Sequence, residues 1–513
     1  MQSSFSSAGL RTLRITALAM VACSLPLARA EIKLPSIFAD HMVVQRNLPV
    51  HVWGMATPNE TVSVTFRGET QTTTTGPLGR WSLYLRPGKA GGPFSMEVHG
   101  TNTITLQDVL VGDVWIASGQ SNMEFPMAEG MNRGVNNEKT EIAAANYPEI
   151  RLMTIATNSS DYPLTDAVVS KTWGACTPAT VAQFSAVGYF FARDLQEHRH
   201  IPIGVIDDTW GGTIAEAWTS LDGLSANASL MPVFAWRAKL MDELPTNMLE
   251  QKKEQQEIAA AKVAGKPISE FPWHPDPASW KPAGLYNAMI APLTPFPIKG
   301  VIWYQGESND DAEVVPIYGE LFKTMIQDWR NHWGVGPFPF LFVQLTNWNP
   351  GSTWPELREQ QTEALALKNT GMAVSIDVGD PDNIHPKDKQ DVGARLALAA
   401  RGIAYNEPIE YSGPMFRQVT TEGHSLRVWF NHTGGGLTSK NGALRGFEVA
   451  GADEKYFPAQ AKIDGDTVVV SSPSVSAPTA VRYGWAANPD CNLYNGANLP
   501  ASPFRAKTFN SYE

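Results

Sequence analysis

The sequence predicts an α/β protein, a parallel sheet covered by helices on both faces in three layers, with a β-rich region at either end. Three observations carry that expectation. From about residue 107 short apolar runs alternate with amphipathic stretches. Before that point, and after about residue 404, the chain reads instead as short strands separated by Gly- and Pro-rich turns. At 513 residues it is also too long for one ordinary domain.

Hydrophobic content of 43% with 18% charged residues is that of a folded protein. Arg11 and Arg14 precede an apolar run from Ile15 to Leu27, followed by Ala28-Arg29-Ala30. This pattern predicts a signal peptide over residues 1–30, cut after Ala30, and hence an exported protein, periplasmic or secreted. A lipoprotein signal at Cys23 is the alternative reading. Removing that segment takes away Arg11, Arg14 and Arg29 and no acid, so the net charge moves from -11 to -14. An acidic exported chain is a poor partner for nucleic acid or anionic lipid. No second long apolar segment predicts a membrane span, and the sequence sets no oligomeric state. Cys176 and Cys491 would pair in an oxidising compartment or stay free. With no Cys/His cluster of zinc spacing and no HExxH, neither a catalytic metal nor another cofactor is expected.

Residues 31–106 read as a small β-sandwich-like domain. Val50 to Trp53, Thr61 to Phe66, Trp81 to Leu85 and Phe94 to Val98 alternate or run apolar between turns. Trp53 and Trp81 fit a core; exposed, they would stack on a sugar ring. Across residues 107–404, candidate strands are Val111 to Ala117, Ile150 to Ile155, Ile203 to Asp207, Gly300 to Tyr304, Phe338 to Leu345 and Met372 to Ile376. The clearest helix places Val315, Tyr318, Leu321, Phe322, Met325, Ile326 and Trp329 on one face and stops at Gly334. About 220–285 the rhythm is interrupted. Asn247 to Ala264 predicts an exposed helix, and a loop with Trp273, His274, Pro275 and Trp280 follows, an insertion placed to wall a substrate site. Residues 405–513 return to β, either as a separate sandwich or packed with the N-terminal β region.

Four stretches put polar groups at the ends of candidate strands, where open α/β sheets collect ligands. They are Gly119-Gln120-Ser121-Asn122, Trp210-Gly211-Gly212-Thr213, Gln305-Gly306-Glu307-Ser308-Asn309, and Asp380-Pro381-Asp382-Asn383-Ile384-His385-Pro386. Each alone is weak: a serine there caps helices, a Gly pair makes turns, an Asp caps and a His packs. Together they supply each role of acyl transfer. A serine hydroxyl is a poor nucleophile at neutral pH, so Ser121 needs an imidazole, His385, to take its proton. Asp382, three residues earlier, would hold the ring. The backbone amides of Ser121 and Gly212, with the Gln305 side chain, would form the oxyanion hole.

With these blocks the chain resembles the sialate O-acetylesterase family of carbohydrate esterases, within the SGNH (GDSL-like) hydrolase superfamily. The likeness rests on Gly119-Gln120-Ser121-Asn122-Met123-Glu124, Gly211-Gly212-Thr213 with Glu216-Ala217-Trp218, Trp303 to Ser308, and Asp382 to Pro386. Met42 to Arg46, Val481 to Trp485 and Leu499 to Phe504 extend it over nearly the whole mature chain. The resemblance implies an SGNH-type α/β/α domain that removes acetyl groups from sugar hydroxyls, as in sialosides, xylan or xyloglucan, without metal. The superfamily's third block usually offers an Asn after a Gly; here Gln305 precedes Gly306 and takes that role by analogy, with Asn309 the substitute. Glu307 is the rival to Asp382 as the orienting acid.

Two other readings compete. A glycoside hydrolase would draw a carboxylate pair from Glu124, Glu307 and Asp382, leaving serine, glycines and histidine unexplained. A non-catalytic carbohydrate-binding protein would fit the 16 Trp and the two β regions.

Overall fold

The computed structural model describes residues 31–128, 134–267, 274–349 and 353–508. The expected signal segment, 1–30, and Trp273 lie outside them.

The N-terminal β region holds β1 (Val43–Gln45), β2 (Val50–Met55), β3 (Thr61–Phe66), β4 (Glu69–Thr74), β5 (Arg80–Leu85) and β6 (Gly91–His99), followed by the long β7 (Thr103–Gly119). After it come β8 (Tyr147–Ile155), β9 (Val169–Cys176), β10 (Ile203–Thr209), β11 (Gly300–Tyr304), β12 (Phe340–Val343) and β13 (Thr370–Ala373). The central sheet runs β13-β12-β11-β7-β10-β8-β9. Every pairing from β13 to β8 is parallel, as the alternating sequence predicts. The edge strand β9 is antiparallel, which the sequence reading missed; its Ser170, Lys171 and Thr172 are exposed, as an antiparallel edge allows.

The helices are α1 (Ser121–Glu124), α2 (Glu138–Ala144), α3 (Pro178–Val181), α4 (Ala186–Arg199), α5 (Leu221–Ala226), α6 (Met231–Val263), α7 (Val315–Trp333), α8 (Trp354–Thr362) and α9 (Lys389–Ile403). They cover both faces. Phe191 of α4 meets Trp115 edge-on from one side, while Phe322 and Trp329 of α7 pack on Trp303 from the other. The seven apolar positions expected on one face of α7 are all buried. Gly334 caps it in the left-handed conformation at φ 64°, its N–H donating to the Arg330 carbonyl.

β7 joins the two regions. Its first half pairs with β6 and β1, its second with β10 and β11. The junction expected near residue 106 therefore falls inside one strand, and a single apolar core runs from Val62 and Val64 through Val109 to Ile302. The buried carboxylate of Asp113 ties the crossing: it takes two bonds from Arg46, both 2.9 Å, one from Gln45 at 2.9 Å and one from the Tyr405 hydroxyl at 2.9 Å. This explains why Gln45-Arg46 sits where it does.

The C-terminal β region is a sandwich with its own core. One sheet contains Ser425–Asn431 and Thr467–Ser471, the other Phe447–Ala450 and Ala480–Tyr483; Val428, Val449, Val468 and Tyr483 are buried between them. These buried residues form a cluster of their own, apart from the core that runs through the other two regions. Cys176 and Cys491 are free.

Candidate active site

The strands deliver their chemistry at one end of the sheet. β7 stops at Gly119, whose φ is 130° and whose ideal Cβ would lie 2.2 Å from the Tyr304 carbonyl oxygen, so only glycine allows β7 and β11 to close there. The chain then turns into the single-turn α1 with Ser121 as its first residue. Ser121 is 8% exposed. Its hydroxyl lies 2.7 Å from Nε2 of His385, a residue 264 positions later in the chain. A hydroxyl and an imidazole are thus at the distance proton transfer needs.

The Gly-Gly turn after β10 packs directly on that serine. A Cβ on Gly211 would sit 3.3 Å from the Ser121 Cβ and 2.6 Å from a Glu124 carboxylate oxygen. Gly212 has φ 74°. Among the described residues, neither the Ser121 nor the Gly212 backbone N–H donates to another protein group.

Gln305 is placed differently from the expectation. It is fully buried; its Nε2 donates to the Thr213 carbonyl at 3.1 Å and to Asn309 Oδ1 at 2.6 Å, and its Oε1 accepts from the Tyr318 hydroxyl at 2.9 Å. With both amide hydrogens engaged it has none to aim at the serine. Asn309, the substitute, is likewise turned inward. Its Oδ1 accepts the Ala215 N–H at 3.0 Å and its Nδ2 donates to Glu216 at 2.8 Å. Tyr318, Gln305, Asn309 and Glu216 thus form a buried network that locks the second block against the third. Burial pushes the Glu216 carboxyl up to about 6, with the Asn309 bond opposing.

A second network, which sequence reasoning missed, fixes the histidine loop. Asn122, buried beside Ser121, donates to Glu307 Oε1 at 2.5 Å and to the Ile384 carbonyl at 2.9 Å, and accepts from Lys389 Nζ at 2.5 Å. Lys389 is fully buried; its ammonium also lies 4.6 Å from the centre of the Phe125 ring. Burial pushes the Glu307 carboxyl above its ordinary value, with the Asn122 bond and the Lys389 charge pulling it back. Asn122 was visible in the serine block. Nothing in the sequence marked Lys389.

His385 is held further by its own N–H, which donates to Asn383 Oδ1 at 2.9 Å. Asp382 lies on the same turn and is exposed. Its backbone N–H donates to Asp380 Oδ1 at 3.0 Å.

The expected helix at 247–264 is the second half of α6, which starts at Met231 and runs through Pro245. Its first turns are anchored by buried Val233 and by Trp236, whose ring stacks on Trp280 at 5.5 Å. Trp280 in turn donates its indole N–H to the Gly212 carbonyl at 2.6 Å. The insertion therefore touches the Gly-Gly turn.

Over most of its length the chain is similar to known carbohydrate esterases. Residues 243–401 match the protein-family model described as carbohydrate esterase, sialic acid-specific acetylesterase. That span holds the third and fourth blocks but not Ser121. The sialate O-acetylesterase of Mus musculus is 31% identical over 527 aligned residues, covering 93% of this chain and 94% of the relative. Its Homo sapiens counterpart is 30% identical, covering 92% of each. The crystal structure of a carbohydrate acetylesterase from Xanthomonas citri superposes with a TM-score of 0.80 at 40% identity, covering 93% of this chain and all of that one. Joined over nearly its whole length to these relatives, the chain belongs to the sialate O-acetylesterase family of carbohydrate esterases, which are carboxylic ester hydrolases.

Proposed function

We propose that the protein is a serine O-acetylesterase that releases acetate from acetylated carbohydrate through an acetyl-enzyme on Ser121. The observation that carries this is the 2.7 Å contact between the Ser121 hydroxyl and His385 Nε2. In the resting enzyme the hydroxyl donates to Nε2, which leaves the other ring nitrogen protonated. As Ser121 attacks the ester carbonyl, Nε2 takes the hydroxyl proton. The oxyanion forms opposite the backbone N–H groups of Ser121 and Gly212, each worth roughly 3 kcal/mol to the transition state. Collapse breaks the acyl–oxygen bond, and His385 returns its proton to the departing sugar oxygen. Water, deprotonated by the same ring, then attacks acetyl-Ser121 and frees acetate.

Gln305, expected as a third donor, acts on this reading as a positioning residue: it fixes the Thr213 carbonyl and so the Gly212 peptide before it. Asp382 is the acid that orients the His385 imidazole. Glu307 serves the histidine loop through Asn122. The substrate is an acetylated sugar, either a sialoside, as the names of the mammalian relatives indicate, or an acetylated hemicellulose. The chain is read as exported after cleavage at Ala30, which N-terminal sequencing of the mature protein checks.

The test is acetate release from acetylated sialosides, xylan and xyloglucan in EDTA. Wild type is expected to turn over at least one; Ser121→Ala and His385→Ala are each expected to lose about 10³-fold or more in kcat with the fold intact. Undiminished turnover in Ser121→Ala would overturn the mechanism. Cleavage of an unacetylated glycoside by that variant would favour the carboxylate-pair alternative.

A further inference from the structure

β2 and β5 form a two-stranded antiparallel ribbon whose inner face sends Val50, Val52, Leu83 and Leu85 into the core. Its outer face should be polar. Instead the cross-strand pairs there are His51 with Tyr84, Trp53 with Ser82 and Met55 with Arg80. The rings make a row, Trp53 to His51 at 4.9 Å and 27°, His51 to Tyr84 at 4.4 Å and 10°. Met55 is 44% and Tyr84 60% exposed. His51 Nδ1 lies 2.9 Å from the Pro295 carbonyl, which can only accept, so that nitrogen carries the proton; burial lowers the ring's pKa and keeps it neutral.

Trp53 and His51 of this row, with Met55, floor one side of a groove of about 780 Å³, well inside the range of small-ligand sites. The facing wall comes from the α/β region: Leu164, Thr165 and Asp166 of the loop after β8, with Pro292 and Pro295. Asp166 is fixed by the Ser36 N–H at 2.8 Å and hydroxyl at 3.1 Å. Lys33 and Arg80 stand exposed on the rim. At Gly54 a Cβ would lie 2.4 Å from the Lys33 carbonyl oxygen, so the glycine is what lets that segment close the groove's end. No residue lining the groove comes from the serine turn, the 305–309 block or the histidine loop.

A neutral aromatic floor beside hydroxyl, carboxylate and guanidinium groups matches one ligand chemistry closely. Equatorial pyranose rings present flat C–H faces to an indole and a fringe of hydroxyls to polar walls. A lipid would leave the polar wall unsatisfied, and a protein partner would bury more than this narrow strip. We propose that the groove is a second carbohydrate site, holding a segment of β-linked glycan chain apart from the ester being cleaved; this rests on reading the protein as a carbohydrate esterase. Holding the polymer there raises the local concentration of its acetyl groups at Ser121.

The test is affinity electrophoresis of the full chain in gels containing deacetylated xylan or xyloglucan, paired with hydrolysis of p-nitrophenyl acetate. Wild type is expected to be retarded by at least one polymer. Trp53→Ala should weaken retardation about five- to tenfold and raise KM on the acetylated polymer to match, with p-nitrophenyl acetate turnover unchanged. Because Trp53 also packs on Phe38 at 4.8 Å, the exposed double variant Met55→Asp with Arg80→Glu repeats the test without touching the core, and the same loss is expected. Equal mobility of wild type and both variants overturns the proposal, as does retardation by neither polymer. Retardation without any Ser121-dependent esterase activity would instead sink the catalytic reading and leave the groove standing.

Discussion

Two carboxylates are the candidates to orient His385, and their surroundings separate them. Glu307 is spent on Asn122, and its second oxygen is buried with no hydrogen-bond partner among the described residues. Asp382 is exposed on the histidine's own turn. Water competes for an exposed carboxylate, so its hold on the ring is worth less than a buried one. Asp382→Ala is therefore expected to lower kcat by about 10- to 100-fold, less than Ser121→Ala. A silent Asp382→Ala beside a dead Glu307→Gln in steady-state assays would reassign the acid. Buried carboxyls of β10 add a pH dependence of stability, Asp207 and Asp208 both being raised by burial. Asp207, fully buried in β10, is pushed up to about 7, first by loss of water and then by the Glu124 charge, while the Thr209 hydroxyl opposes. A carboxyl raised on folding contributes most below its unfolded value, near 4, and loses that contribution as pH rises toward 7. Thermal melts of wild type should thus lose more Tm between pH 4.5 and about 7 than Asp207→Asn does; parallel curves would contradict the assignment. The sequence marked Ser121 and His385, which lie 2.7 Å apart, because their types and strand-end positions can be read without the fold. It did not mark Lys389, since a lysine reads as surface until Asn122 and the Phe125 ring are seen around it, nor the inward turn of Gln305, which depends on Tyr318 and Asn309 arriving from elsewhere.

At the scale of elements, the strands with strong apolar runs were legible and the exceptions have physical causes. β11 and α7 follow their patterns because burial on fixed faces leaves one solution. β7 overran its expected start because its first half alternates as an ordinary β-sandwich strand while its second is buried on both sides. α6 began sixteen residues before the expected Asn247, at Met231, since Val233 and Trp236 anchor turns that propensity alone would not support. That anchoring reaches the chemistry through Trp280. Trp280→Phe keeps the ring stacked on Trp236 but removes the N–H that holds the Gly212 carbonyl. We expect kcat to fall by about 3- to 10-fold, the cost of one hydrogen bond, with little change in melting temperature. A fall in KM affinity alone, at unchanged kcat, would assign Trp280 to substrate contact rather than to positioning.

At the scale of the whole molecule, the C-terminal sandwich buttresses the catalytic end. Arg358, fully buried in α8, donates to the carbonyls of Leu345 and Thr346 and of Ala486 and Ala487, at 2.6 to 2.8 Å, riveting sandwich to sheet. Asn347 bonds Asn488 at 2.9 Å and accepts the Gly379 N–H at 2.9 Å, and the Tyr494 hydroxyl donates to Asp377 at 3.0 Å. These contacts set the loop that carries His385. The family's likeness near residues 481–504 was legible as sequence; its purpose needed the contacts to Ala486, Ala487, Asn488 and Tyr494, which join positions more than a hundred residues apart. The C-terminal sandwich is thus tied to the end of the sheet at which the Ser121 hydroxyl meets the His385 imidazole. The most direct test is labelling with a fluorophosphonate followed by peptide mass analysis. One equivalent is expected on Ser121, in step with loss of acetate release and abolished in His385→Ala. Label on another residue, or full acetate release from an enzyme stoichiometrically modified at Ser121, would contradict it.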